Sequence, residues 1–270
     1  MQGHSRHSLT VLREGLDAAV GAAGDPAVLA TELFAIADLI GREGSLRRTL
    51  ADPARLGSDR SALMNELMAG KVSAATAALA SAVVGSRWSR PLDVVTALET
   101  LGEESLLIAA QNAGTLETVE DELFRFSRTV ARESALALAF SDPNLPASQK
   151  AAMVHSLLDG KATEQAIALI ERVVTRRRDL PVARVLQEIV EAAALRRERR
   201  VATVTSAVAL TSEQVGRLGS ALSTSYGVPI QVQVEVDPSI VGGVIVKVGD
   251  QLIDGSVTRR LDTAARALVR

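Results

Sequence analysis

At 270 residues, with hydrophobic types making up 47%, the chain can bury one large core or two to three smaller ones. Its 30 Lys and Arg stand against 32 Asp and Glu, so the basic excess that gives phosphate-driven affinity is missing. Cysteine is absent, which excludes disulfides, thiolate metal sites and cysteine nucleophiles.

Taken in order, the N-terminal segment places Glu14 and Asp17 inside its apolar part and so lacks the uninterrupted core of a signal peptide. Leu9, Leu12, Leu16 and Val20 predict one helix ending at Gly21 and Gly24. Asp25-Pro26 predicts a capped restart, with Leu29, Leu33, Ile36 and Ile40 as its buried face. Asp52-Pro53 reads as a turn, Ser58 as the cap of a helix ending at Gly70, Ser73 as the next cap and Pro91 as a further start. That makes five or six helices in about a hundred residues.

The order then recurs 90 positions on, with 25 identities between residues 11–100 and 101–190. Glu32-Leu33-Phe34 lies over Glu122-Leu123-Phe124, Asp52-Pro53 over Asp142-Pro143, Gly70-Lys71 over Gly160-Lys161, and Pro91 over Pro181. Two related five-to-six-helix bundles are expected, over 1–100 and 101–195. Val94, Val95, Leu98, Leu101, Leu106, Leu107 and Ile108 keep helical spacing through Gly102, so the join should be a stiff helix rather than a linker.

After the charged run Arg196 to Arg200 the period changes. Ala202 to Leu210 alternates as a strand, and Thr211 with Gln214 is a capping pattern for a helix bearing Val215, Leu218 and Leu222. Ile230 to Val236 alternates as a second strand. Gly243 to Val248, the turn Gly249-Asp250, Gln251 to Ile253 and the turn Asp254-Gly255 predict a hairpin, with Ser256 capping a last helix. The fold class is therefore mainly α, closing with a small α/β (βαββα) domain over 200–270.

Reactive constellations are scarce. Gly70-Lys71 and Gly160-Lys161 lack the preceding glycine, strand and following Ser or Thr of a phosphate loop, and read as helix C-cap glycines. Gly242-Gly243 enters a strand rather than a helix N-terminus, which favours a bulge over a nucleotide nest. His4 and His7 fall in a frayed N-terminus and His155 on a helix, so they form no catalytic or metal set. Trp88 is either a core residue or an interface anchor. Gly216 to Gly219, together with Arg176-Arg177-Arg178 and the Arg196 run, leaves a nucleic-acid-binding adaptor as the alternative reading. Solvated helix ends or a polar protein interface account for the same arginines.

Gly242, Gly243, Gly249, Asp250, Ile253, Asp254, Gly255, Ser256, Arg260 and Leu261 together resemble the C-terminal signature of the delta subunit of F-type ATP synthases, whose mitochondrial counterpart confers oligomycin sensitivity. The likeness extends back over about 105–270, through Phe140, Pro143 and Lys150. Residues 1–100 depart from an ordinary member and are similar to the longer delta chains of actinobacteria. The resemblance implies a non-catalytic stator subunit of the proton-translocating synthase, peripheral to the cytoplasmic face of the plasma membrane. Its partners would be the N-terminal helices of alpha subunits and a b-type stalk subunit. No cofactor, metal, small-molecule ligand, nucleic acid or membrane insertion is expected. Grooves lined by Ala74, Ala75, Ala77 and Ala78, or by Ala166 and Ala168, would suit helix docking. Copy two, next to the signature domain, is expected to be the primary alpha-binding bundle.

Overall fold

The computed structural model describes residues 3–23, 25–176, 180–198, 201–226, 230–237, 240, 242–248 and 251–254. Its contacts divide the chain into two compact units, 1–190 and 191–270.

The first unit is helical. It begins with α1 (His4–Glu14), α2 (Leu16–Ala23), α3 (Pro26–Arg42) and α4 (Gly44–Leu50). Next come α5 (Gly57–Met68), α6 (Ala74–Gly85) and α7 (Pro91–Asn112). It continues with α8 (Leu116–Arg132), α9 (Ser134–Ser141), α10 (Ala147–Leu158), α11 (Glu164–Thr175) and α12 (Val182–Glu198), whose last turns cross into the second unit. The first predicted helix is two, because the chain breaks at Gly15, yet Leu9, Leu12, Leu16 and Val20 are all buried as a single stripe. Nor is the segment from His4 frayed: the buried Ser5 donates to Asp93 and accepts from the Ser89 amide, both at 2.8 Å. Asp25 caps α3 by accepting from the Ala27 amide, with Pro26 opening the helix. The cap predicted at Ser58 stands two residues earlier, at Leu56, so the helix starts at Gly57. Trp88 packs against the core of Leu9 to Leu101, and its indole N–H donates to the Val83 carbonyl at 2.7 Å.

Details of the first half return 90 positions later. Helices α5 and α10 match end for end at that offset, as do α6 and α11. Asp52 accepts from the Ala54 amide and Asp142 from the Asn144 amide. Gly70 and Gly160 follow α5 and α10 with φ of 67° and 71°, the left-handed conformation of C-cap glycines. Glu32 holds the N-terminus of α6 by accepting from the Ser73 amide and hydroxyl and from the Thr76 hydroxyl, and Glu122 holds α11 through Thr163 in the same way. Burial pushes the Glu32 carboxyl up, but the hydrogen bonds from Thr76 and Ser73 outweigh it and leave the group below its ordinary range. A lowered folded value makes its contribution full above the unfolded value and lost as the pH falls through the folded one. Glu32→Gln should therefore weaken the acid sensitivity of unfolding below about pH 4.5, read as thermal midpoint against pH in wild type and variant.

Helix α7 is buried along most of its length, from Val94 and Val95 through Leu98 and Leu101 to Leu107 and Ile108. It packs along α3 and also against α11 and α8, so the stiff join expected from the sequence is a 22-residue helix serving both halves.

The second unit contains β1 (Val201–Ser206), α13 (Ser212–Tyr226), β2 (Gln231–Val236), β3 (Val244–Val248) and β4 (Gln251–Asp254). Its sheet runs β2-β1-β3-β4, with β1 parallel to β2 and antiparallel to β3, and β3 antiparallel to β4. That is one strand more than a βαββα unit; the predicted last helix lies outside the described residues. Strand β1 stops at Ser206, four residues short of the predicted end, because Ser206 turns its hydroxyl onto the Val208 carbonyl and Val208 is exposed. The capping pattern forms as expected: Gln214 accepts from the Thr211 amide at 2.8 Å and Thr211 from the Gln214 amide at 3.3 Å. Ala202, Val204, Val246, Val248, Ile230 and Leu222 make the core between sheet and helix.

Candidate functional site

The glycine-rich stretch keeps the β3–β4 register expected of a hairpin, with Val248 opposite Gln251 and Ile245 opposite Asp254. Gly243 has φ 85°, which a side chain would strain, so the pair serves backbone geometry where the chain enters β3. Ile253 is on β4 and half exposed. Gly249, Asp250, Gly255, Ser256, Arg260 and Leu261 lie outside the described residues. Gly216 and Gly219 are inside α13, and a Cβ on Gly219 would make ordinary contact with Val232 at 3.5 Å, so this position faces β2. The alanine grooves are uneven: Ala74 and Ala78 are exposed on α6 and Ala168 is half-buried on α11, whereas Ala166 is buried and cannot line a groove.

The densest set of charged groups lies where α11 meets α3 and α7. Arg172, on the apolar face of α11 with Leu169, Ile170 and Val173, donates to Asp38 at 2.8 Å and to Glu99 at 3.1 Å. Arg176, just past α11, donates to Glu103 at 3.1 Å and stands 3.6 Å from Glu99. Both guanidiniums are about nine-tenths buried, so the solvated reading of this arginine is wrong; Arg177 and Arg178 lie outside the described residues. The Arg172 guanidinium also lies over the Phe34 ring, 4.7 Å from its centre, a cation–π contact. Helix α7 passes the ring at Gly102, where an added Cβ would fall 2.5 Å from the ring edge. Gly102→Ala should therefore destabilise the helical unit by about 1–2 kcal/mol, because the clash outweighs the roughly 1 kcal/mol gain in helix propensity, as chemical denaturation would show.

Burial pushes the Glu103 carboxyl up to about 7, opposed by Arg176 and Arg172 and reinforced by Glu99 and Glu104. A cleft of about 1020 Å³ between α3, α7, α10 and α11 is lined by Asp38, Glu99, Arg172 and Arg176 of this cluster, together with Leu92 and Leu180. His155 is raised above its ordinary value by hydrogen bonds to Asp159 and Glu171, and so ties α10 to α11. Among the described residues no group of three metal-ligating side chains comes together, and no helix is long and apolar enough to cross a membrane.

Arg172, Glu99, Glu103 and Gly102 escape a reading based on motifs, although each leaves a trace. Arg172 interrupts an apolar stripe, and Glu99 with Glu103 places two acids one turn apart among the buried Val95, Leu98, Leu101, Leu106 and Leu107 of α7. An internal ion cluster, a capped helix array and a small mixed sheet characterise a mainly helical protein.

Comparison with known proteins identifies its family. The family model described as ATP synthase delta (OSCP) subunit matches residues 104–268. The ATP synthase subunit delta of Salinispora arenicola is 46% identical over 98% of both chains. Those of Frankia alni and Streptomyces griseus are 44% and 42% identical, covering all of both chains and 99% of this chain respectively. A chain of the Toxoplasma gondii mitochondrial ATP synthase hexamer matches at 19% identity with a TM-score of 0.31, over 62% of this chain and 95% of that one, a likeness too slight to inform the fold. The chain belongs to the ATP synthase delta (OSCP) subunit family, a family of structural rather than catalytic subunits.

Proposed function

We propose that this chain is a peripheral-stalk subunit that links the alpha subunits of the catalytic head to a b-type stalk subunit and resists rotor torque, at the cytoplasmic face of the plasma membrane. The observation that carries the reading is the family match over 104–268 together with relatives that align along the whole chain. The domains would be two related bundles, 1–100 and 101–195, and a third domain at 200–270 whose signature residues Gly242, Gly243, Ile253 and Asp254 serve the geometry of its hairpin. A torque-bearing part needs stiffness, and a buried helix common to both halves, braced by ion pairs, supports that use. The features behind a nucleic-acid reading have other uses here, since Arg176 is engaged by Glu103 and Gly219 faces β2.

Copy two is the proposed alpha-binding bundle. The 90-position offset pairs Ala168 on α11 with Ala78 on α6, which gives a matched test. Calorimetry of the full chain with an alpha-subunit N-terminal peptide should show binding that Ala168→Glu abolishes and Ala78→Glu leaves intact. Reversal of the two would move the site to copy one, and absence of binding by the unaltered chain would remove the reading.

A further inference from the structure

We propose that the face of α8 carrying Phe124, Arg128 and Arg132 is a docking surface for an acidic amphipathic helix of another subunit, which brings an apolar side chain to Phe124 and a carboxylate to Arg128. The two halves present α3 and α8 in the same orientation. Leu29, Leu33, Ile36 and Ile40 are buried on α3, and Val119, Leu123, Phe126 and Val130, 90 positions on, are buried on α8. Glu32 and Glu122 reach the N-termini of α6 and α11 in the same way. Phe124 and Arg128 therefore point, relative to their own half, where Phe34 and Asp38 point in the first.

In the first half that direction is filled. Arg172 of α11 lies over Phe34, 4.7 Å from the ring centre, and donates to Asp38 at 2.8 Å. The halves are thus joined head to tail, and such a join leaves the receiving face of the second half unmatched. Phe124 is accordingly 45% exposed. Arg128 and Arg132 follow it one and two turns on, both exposed and in no ion pair among the described residues. Arg125, by contrast, is engaged by Asp121 at 2.6 Å. The receiving charge is reversed from Asp38 to Arg128, so the helix that fits carries an acid rather than the arginine of α11. Because a carboxylate is repelled by the face of a ring, the residue it sets over Phe124 is apolar. A ring and two arginines at i, i+4 and i+8 match the spacing of anchors along one helix face. A second copy of this chain does not fit, since α6 has Ala82 and Ser86 where α11 and its end have Arg172 and Arg176, and Arg128 would stay unpaired. A membrane surface fits poorly too, because Phe124 is the one large apolar side chain exposed on α8.

Because the partner is another subunit, this assignment rests on the stalk reading, and the test separates the two. The full chain with p-benzoylphenylalanine in place of Phe124 is assembled into the synthase and irradiated, and the cross-linked peptides are identified by mass spectrometry. Positions 124 and 128 are both exposed, so changes there leave the core intact. The expected product joins position 124 to a helical segment of another subunit that has Asp or Glu within one turn of the attachment. With the chain limiting, Arg128→Glu should lower its yield about fivefold, Arg128→Lys should retain it, and reversing the charge of the partner's acid should restore it to the Arg128→Glu chain. The proposal is overturned if the chain assembles without a product to another subunit, if the product joins a second copy of the chain or a segment lacking an acid, or if Arg128→Glu leaves the yield unchanged. A chain that does not assemble at all removes the stalk reading, and this proposal with it.

Discussion

Replacing Arg172 with Ala should destabilise the helical unit by about 3–5 kcal/mol, the cost of removing one partner from a buried ion pair. Glu99 would lose a donor at 3.1 Å while staying 5% exposed, and Asp38 its donor at 2.8 Å. Phe34 would lose the guanidinium over its ring, and the space left is too polar on one side to close by apolar packing. Arg172→Lys should recover only part of the loss, because an ammonium cannot span two carboxylates on different helices with fixed fork geometry. The double variant Arg172→Met with Glu99→Gln should be milder than Arg172→Ala alone, since it also removes the buried charge that loses a donor. Urea unfolding followed through the helical signal of all four proteins measures these differences. A loss under 1 kcal/mol for Arg172→Ala would mean that α11 is held by its apolar face alone.

Arg60→Ala should cost about 2–4 kcal/mol, the range for removing a buried charged donor and leaving carbonyls unsatisfied. Arg60 is on α5, 5% exposed, and donates to five carbonyls: Val84, Gly85 and Ser86 at the end of α6, and Asp52 and Arg55 in the turn before α5. It closes the open end of α6 as a capping motif would, and its positive charge complements the helix dipole there. The second half carries Lys150 at the corresponding place, also buried, with its ammonium donating to the Phe140 carbonyl at 2.6 Å. Arg60→Lys is therefore a natural intermediate and should cost less than half of Arg60→Ala. Thermal unfolding monitored by Trp88 fluorescence reads it in the first half, since Trp88 packs on that core and bonds to Val83, next to Val84.

Much of this architecture was legible in the sequence because its signals are local. Asp25-Pro26, Ser73, Pro91 and the Thr211-Gln214 pair specify helix starts through chemistry that acts over three residues, and each start is where the residues place it. Continuity of α7 through Gly102 was legible too, since the apolar stripe on both sides keeps one phase. The break at Gly15 was not, because Leu12 and Leu16 stay on one buried stripe whether the helix is continuous or not. Strand β1 was overextended for a related reason: alternation persists to Leu210, but pairing with β2 and β3 stops at Ser206.

The junction was the least legible part. Phe34 and Gly102 are 68 positions apart and Arg172 a further 70, so no window along the chain contains the contact. The repeat even misdirects, since Phe34 recurs as Phe124 and Asp38 is replaced by Arg128. The counterpart of a covered face in the first half is thus an exposed aromatic with reversed charge in the second. Equivalent positions in the two halves hold different work, and the asymmetry lies in the residues that join them.

The stator reading rests on the chain's holding the catalytic head. Heads purified without this subunit, mixed with the full chain and run on a native gel, give the most direct measurement. The chain is expected to co-migrate with intact heads and to run free when the alpha N-terminal segments have been removed. Free migration beside intact heads would contradict the account.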